Sequence, residues 1–250
     1  MADILDVRDL RVWFPVKKGV FARTVGHVKA LDGVSFSLRR GLTLGVVGES
    51  GSGKSTLARV ITGLQPPTSG SFAVDGRVAM VFQDPLGSLN PRMTVRATLR
   101  ESLELSGDRN GGASGGSVAR LLELVGMDGS ALDKYPHEFS GGQRQRVCIA
   151  RALASAPELL ICDEAVSALD LSIRAQVLDL LAELNRRLGL SLLFITHDLG
   201  VVQHIADRVL VLNRGKAIEE GPCGQVLKAP REEYTRYLLR SVPRIGKPLT

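Results

Sequence analysis

The sequence predicts an α/β fold, with short buried strands alternating with helices and a helical segment inserted part-way along the chain. Residues 159–162 and 191–196 are short, unbroken apolar runs, the pattern of parallel strands buried on both faces. Residues 173–188 between them repeat their apolar positions at helical spacing. Residues 42–47 form a further strand that ends in a Gly/Ser cluster and leads into a helical pattern over 54–64. The middle of the chain differs, since Val95–Leu105, 118–125 and 142–154 all carry helical periodicity. The expectation is one domain over 1–242, with a helical insert at about 84–156 and a C-terminal tail at 243–250.

Along the chain, Ile4, Leu5, Val7, Leu10, Val12 and Phe14 give the opening a β pattern. Residues 15–26 are basic and broken by Pro and Gly, so they read as a loop between strands. Strand pattern resumes at Val34, Phe36 and Leu38. Residues 71–74 and 77–82 read as a hairpin joined at Asp75-Gly76, a strong turn signal. Residues 106–116 (SGDRNGGASGG) have the composition of a flexible connection. Two more strands, 208–212 and 216–219, flank Asn213-Arg214-Gly215, and a helix runs from Arg231 to about Ser241. No internal repeat is present.

Composition narrows the function classes. Of 250 residues, 44% are hydrophobic and 23% charged, as in an ordinary globular protein with a substantial core. The net charge of +6 is modest, so a solvated basic surface is expected, with anionic lipid headgroups or nucleic acid as the alternatives that charge alone leaves open; the motifs below point away from nucleic acid. The opening MADILDVRDL lacks the cationic and apolar regions of a secretory signal, and no run approaches the ~20 apolar residues of a membrane span. Cys148, Cys162 and Cys223 are dispersed and form no CxxC pair; Cys148 in the apolar phase of a helix and Cys162 in a buried strand read as core thiols, and a reducing setting fits.

Gly48-Glu49-Ser50-Gly51-Ser52-Gly53-Lys54-Ser55-Thr56 fits G-x-x-x-x-G-K-[ST] between a strand and a helix. The glycines let successive backbone N–H groups face one anion, and the helix start adds its positive dipole end. Lys54 is expected on the β/γ-phosphates of ATP. The Ser55 hydroxyl is expected on Mg²⁺, with Thr56 beside it. The apolar strand 159–162 delivers Asp163 and Glu164 to the carboxyl edge of the sheet, where ligands bind in open α/β folds. There Asp163 can hold Mg²⁺ through water, and Glu164 can take a proton from the water attacking the γ-phosphate. Ser140-Gly141-Gly142-Gln143 opens a helix with a natural N-cap and bare amides, a second phosphate site. Two anion sites behind one phosphate-binding loop suggest two nucleotides shared across a dimer.

With these motifs the chain resembles the ABC ATPase family, whose signature stretch is similar to Ser140–Gln143. The resemblance implies a P-loop ABC ATPase fold with a RecA-like core, an N-terminal antiparallel β-subdomain and a helical insert. It also implies that Gln83 touches Mg²⁺ and senses a membrane partner, and that Ser167 to Asp170 form a loop at the dimer interface. His197 matches a switch histidine on the γ-phosphate. Phe14, with Trp13 second, is the candidate to stack on adenine. His27, His137 and His204 have no such placement and are treated as structural or surface residues.

Gln83-Asp84-Pro85, Ser88-Leu89-Asn90-Pro91-Arg92-Met93-Thr94-Val95, Tyr135-Pro136-His137-Glu138-Phe139, Ser172-Ile173-Arg174-Ala175-Gln176 and Tyr234-Thr235-Arg236 look like the ATPases of dipeptide and oligopeptide importers. That subfamily also serves nickel and other small polar substrates. Its ATPases usually pair with a different chain, sometimes with a copy, and work with two transmembrane permeases and a substrate-binding protein. Such a subunit would sit on the cytoplasmic face of the cell membrane. Three features depart from the pattern: strands join almost directly between Gly76 and Val81, no cysteine cluster stands near Thr250, and 106–116 is unusually Gly-rich. Exporter and lipoprotein-extracting ATPases are the rival reading. Chromosome-associated relatives separate the two phosphate motifs by a long coiled coil, which is absent from this sequence.

Overall fold

A computed structural model describes residues 2–19, 23–106 and 117–241. The chain divides into two compact units. The first comprises Met1–Leu5, Leu38–Leu42 and Val74–Leu193, and the second Asp6–Ser37, Thr43–Ala73 and Phe194–Thr250. The Gly-rich connection beyond Ser106 and the tail 243–250 lie outside the described residues.

In the first unit, β5 (Val78–Val81) pairs in parallel with β6 (Leu159–Asp163), with Val78 opposite Leu159 and Val81 opposite Cys162. Every residue of β6 is buried, as its unbroken apolar run requires. The expected insert is helical: α2 (Pro85–Ser88), α3 (Val95–Leu105), α4 (Val118–Leu124) and α5 (Gly141–Leu153). Asp84, Thr94, Ser117 and Ser140 cap these four helices through side-chain oxygens, satisfying first-turn N–H groups. The long helix α6 (Leu171–Leu188) ends at Gly189, whose φ of 66° suits a left-handed C-cap.

β1 (Asp3–Lys18), β2 (Arg23–Arg39) and β4 (Ser69–Val74), most of whose residues belong to the second unit, make a three-stranded sheet in the order β2-β1-β4. Ile4, Leu5, Val7, Leu10 and Val12 are buried on β1, as the alternation predicts. β3 (Thr43–Val47) is wholly buried and pairs in parallel with β8 (Arg208–Asn213), which pairs antiparallel with β9 (Lys216–Pro222). Arg214 and Gly215 both have positive φ, 48° and 77°, as a tight hairpin turn demands. The helices are α1 (Lys54–Ile61), α7 (Leu199–Ile205), α8 (Cys223–Lys228) and α9 (Glu233–Ser241). β7 (Ser191–Thr196) carries the chain from the first unit into the second. Among the described residues, no helix is long and apolar enough to cross a membrane.

Two local expectations are corrected. Residues 15–26 are not simply a loop, since β1 continues to Lys18 and β2 begins at Arg23, leaving only the few residues between them. Extended pairing overrides the Pro and Gly signals because Pro15 needs no ladder donor on an exposed stretch. The Asp75-Gly76 turn does not make a hairpin: β4 joins β1, whereas β5 joins β6. The Glu158 carboxylate accepts from the Arg77 N–H at 2.6 Å, which draws the chain toward β6 at this turn.

Candidate functional site

The phosphate-binding loop leaves a fully buried strand, β3, and enters α1 at Gly53. A Cβ on Gly48 would sit 2.1 Å from the Leu212 carbonyl oxygen, and one on Gly53 would sit 2.3 Å from that of Ala30. Both positions therefore require glycine. No side chain caps the N-terminus of α1, so its first-turn amides are not taken by a capping residue. Lys54 is only 5% exposed. Its ammonium donates to the Gly48 and Glu49 carbonyls at 2.7 and 2.8 Å, which curls the side chain back over its own loop. The far side of the loop is buttressed by the β8–β9 turn. Gly215 N–H donates to the Ser52 carbonyl at 3.0 Å, and Asp32 N–H donates to the Gly215 carbonyl at 2.8 Å. Ser55 and Thr56 are half-buried on the first turn of α1, and Glu49, Ser50 and Gly51 are exposed.

In the first unit, Asp163 closes β6 and is 7% exposed. Burial, and then the Asp163 charge, push the neighbouring Cys162 thiol up to about 12, so it stays protonated and inert in the core. Glu164 follows in a left-handed conformation, φ 49°, which non-glycine residues adopt at a cost. Ser167 holds it there: its N–H and its hydroxyl both donate to the Glu164 carbonyl, at 3.1 and 2.9 Å. The Glu164 carboxylate also accepts from the Gln83 side-chain amide at 3.1 Å. Two residues expected from separate motifs are thus in direct contact.

Ser140 to Gln143 form a capping box at the start of α5. The Ser140 hydroxyl accepts from the Gln143 N–H at 3.3 Å, and the Gln143 side-chain oxygen accepts from the Ser140 N–H at 3.0 Å. Ser140, Gly141 and Gln143 are exposed, whereas Gly142 is buried with room for no Cβ, because Ile173 Cγ2 would be 2.3 Å away. Farther along α5, the Cys148 thiol lies 3.2 Å from the Ser88 hydroxyl, and the Arg151 guanidinium donates to the Ser88 carbonyl. The signature helix therefore grips the turn that follows Gln83. Asp170 starts α6 from an exposed position, and its carbonyl accepts from the Arg174 N–H at 2.8 Å.

His197, in the second unit, is exposed between β7 and the N-cap of α7, where Asp198 accepts from Gly200 and Val201 N–H groups. Phe14 is 39% exposed. Trp13 is less so, and the Lys29 ammonium sits 4.5 Å from its ring centroid, which leaves Phe14 the more open aromatic face. The residues missed by sequence reasoning act at long range. Tyr234 of α9 accepts the Glu49 N–H on its hydroxyl at 3.3 Å, and no local pattern marks it.

The donor chemistry suits both expected ligands. A loop whose Gly48 and Gly53 admit no Cβ, with a buried ammonium, is built for a polyphosphate. Among the described residues no group of three or more His, Cys, Asp or Glu could hold a metal ion by itself. Taken singly, Ser55, Gln83 and Asp163 each carry a hard oxygen donor of the kind found in a Mg²⁺ shell. Mg²⁺ usually completes such a shell with waters and substrate phosphates rather than an all-protein cage.

Comparison with known proteins agrees with this chemistry. The family model described as "ABC transporter" matches residues 31–167. The chain is 48% identical to the oligopeptide transport ATP-binding protein AppF of Bacillus subtilis, over 96% of this chain and 78% of that protein. It is 46% identical to the dipeptide transport ATP-binding protein DppF of Escherichia coli, over 97% of this chain and 77% of that one. A dimeric structure of the ATP-binding cassette MJ0796, in a post-hydrolysis state bound to ADP and Pi, superposes with a TM-score of 0.72 at 26% identity, covering 88% of this chain and 98% of that one. The glycine-lined loop around Lys54, the strand ending at Asp163 and these matches together place the chain in the ABC transporter family.

Proposed function

We propose that this chain is the ATP-binding and hydrolysing subunit of an importer of dipeptides, oligopeptides or similar small polar substrates. The observation that carries the reading is the buried Lys54 ammonium, held by two carbonyls of a loop that tolerates only glycine at Gly48 and Gly53. The peptide class is supported by the AppF and DppF relatives, whose printed roles are oligopeptide and dipeptide transport.

In this reading Gly48 to Thr56 cradle the phosphates, and Lys54 leaves the loop carbonyls to neutralise the β/γ-phosphates. Ser55, Gln83 and Asp163 are the residues that would hold Mg²⁺, which would supply charge neutralisation on the phosphate oxygens. Glu164 accepts the proton of the attacking water, and Gln83 orients the Glu164 carboxylate through its amide. His197 contacts the γ-phosphate and Phe14 stacks on adenine. Ser140 to Gln143 act on a nucleotide held by a partner ATPase subunit, with Ser167 and Asp170 near that interface. Two permease subunits do the membrane crossing, a substrate-binding protein delivers cargo, and this subunit sits on the cytoplasmic face.

Lys54→Ala tests the core of the reading. In calorimetry the variant should show no measurable MgATP binding at an unchanged melting temperature, and unchanged affinity would overturn it. Reconstitution with the permeases then tests the cargo class, because peptide should stimulate ATP hydrolysis and nickel should not.

A further inference from the structure

We propose that Tyr234 is a positioning residue for the phosphate-binding loop, setting its affinity for nucleoside triphosphate from the C-terminal helix α9. The proposal rests on the reading of this loop as the MgATP site. The Tyr234 hydroxyl accepts the Glu49 N–H at 3.3 Å, and the Lys54 ammonium donates to the Gly48 carbonyl at 2.7 Å. The Gly48 carbonyl and the Glu49 N–H belong to the same peptide unit. That unit is planar and trans, so its N–H and C=O point in opposite directions. Fixing the N–H from one side therefore fixes the carbonyl on the other, the side that holds Lys54. The Glu49 carbonyl takes a second Lys54 bond at 2.8 Å, so the lysine is seated on two consecutive carbonyls flanking one tethered amide.

The tether has a rigid base. Tyr234, Leu238 and Leu239 pack on a buried cluster that includes Val47, the last residue of β3, with Val209 and Val211 of β8. Thr235 is fully buried. Just before α9, the Glu219 carboxylate accepts the Arg231 and Glu232 N–H groups at 2.9 and 3.2 Å. The Arg236 guanidinium donates to the Pro230 and Arg231 carbonyls at 3.2 and 3.0 Å. The ring can thus hold its place without its hydroxyl, which makes the hydroxyl's contribution separable from the packing. Burial, with the Glu49 carboxylate as a further cause, pushes the Tyr234 phenol above its ordinary value. It therefore remains a neutral phenol near pH 7.

The tether acts before the nucleotide arrives, by keeping the loop and Lys54 in place. Once the triphosphate fills the loop, its own oxygens hold the lysine, so the effect belongs in KM and not in kcat. Tyr234→Phe in the full chain is the test, read by calorimetry with MgATP, steady-state hydrolysis and thermal melting, with Lys54→Ala alongside. The expected result is MgATP binding weaker by about 3–10-fold, the size of one neutral hydrogen bond. KM should rise by the same factor, with kcat within twofold of wild type and an unchanged melting temperature. Wild-type affinity in Tyr234→Phe, with binding lost in Lys54→Ala, would overturn the proposal and leave the MgATP reading standing. A fall in kcat or melting temperature equal to the loss of affinity would also overturn it, by showing that the hydroxyl serves general packing. Unchanged affinity in Lys54→Ala would instead remove the reading on which the proposal rests.

Discussion

Ser167 fixes the backbone of Glu164, donating both its N–H and its hydroxyl to the Glu164 carbonyl while that residue occupies the left-handed region. A loop expected only at a dimer interface therefore also aims the carboxylate proposed to act as base. Ser167→Ala keeps the backbone bond and loses the hydroxyl bond, a change of about 0.5–1.5 kcal/mol. The expected outcome is a kcat lower by about 3–10-fold with MgATP affinity within twofold of wild type. Parallel turnover and calorimetric titrations check it, and a loss of affinity at normal kcat would refute it.

Glu164→Gln separates shape from proton transfer. The substituted amide oxygen can still accept from Gln83, so the local geometry should persist, whereas the base is lost. General-base contributions are typically about 10²–10⁴ in rate. MgATP binding should be retained and hydrolysis slowed by that factor in the assembled transporter. Near-normal turnover would mean that another group activates the water.

Gly48→Ala tests the loop without touching charge. Its Cβ would stand 2.1 Å from the Leu212 carbonyl oxygen, a backbone atom of β8 that cannot swing aside. Overpacking of this kind costs about 1–3 kcal/mol, and the displaced Gly48 carbonyl is also a seat for Lys54. A lower melting temperature and at least about tenfold weaker MgATP binding should appear together. A variant with normal binding would show that the loop shape is not needed.

The sequence made the glycine-rich loop and the strand before Asp163 readable because both are dictated locally. One depends on residues without a Cβ, the other on an apolar run too short for a helix. Asp75-Gly76 misled for a physical reason. A two-residue turn signal reports only local backbone preference, whereas β5 is claimed by β6 across 81 residues, with Glu158 holding Arg77. The basic stretch after Pro15 misled similarly, because pairing of β1 and β2 outweighs isolated strand breakers. Tyr234 was legible as part of a familiar stretch but not as a neighbour of Glu49, 185 residues away. No periodicity encodes a contact at that range. Gln83 was readable as a motif, but its bond to Glu164 came only with the pairing of β5 and β6.

The last prediction concerns the second phosphate motif. Ser140 and Gln143 are exposed and locked to each other in a capping box, so the helix start is preformed before any ligand arrives. Gly142 is packed against Ile173, so the backbone there cannot retreat. One chain carries one glycine-rich loop around Lys54, and the proposed role of Ser140 to Gln143 is to close on the nucleotide held by a partner subunit. Ser140→Arg puts a long cation over that helix start and removes the cap, without altering any residue that contacts Lys54. In a mixed dimer with an intact partner, hydrolysis at the partner's loop should fall by at least about tenfold, while MgATP binding to this chain's own loop stays within twofold. Combining Ser140→Arg with a partner whose own loop lysine is replaced should lower turnover no further than the lysine replacement alone, since both changes fall on one shared site and leave this chain's loop with the partner's signature intact. If Ser140→Arg blocks MgATP binding to its own chain and spares the partner's site, the shared-site arrangement is wrong, and each chain would work on a nucleotide of its own.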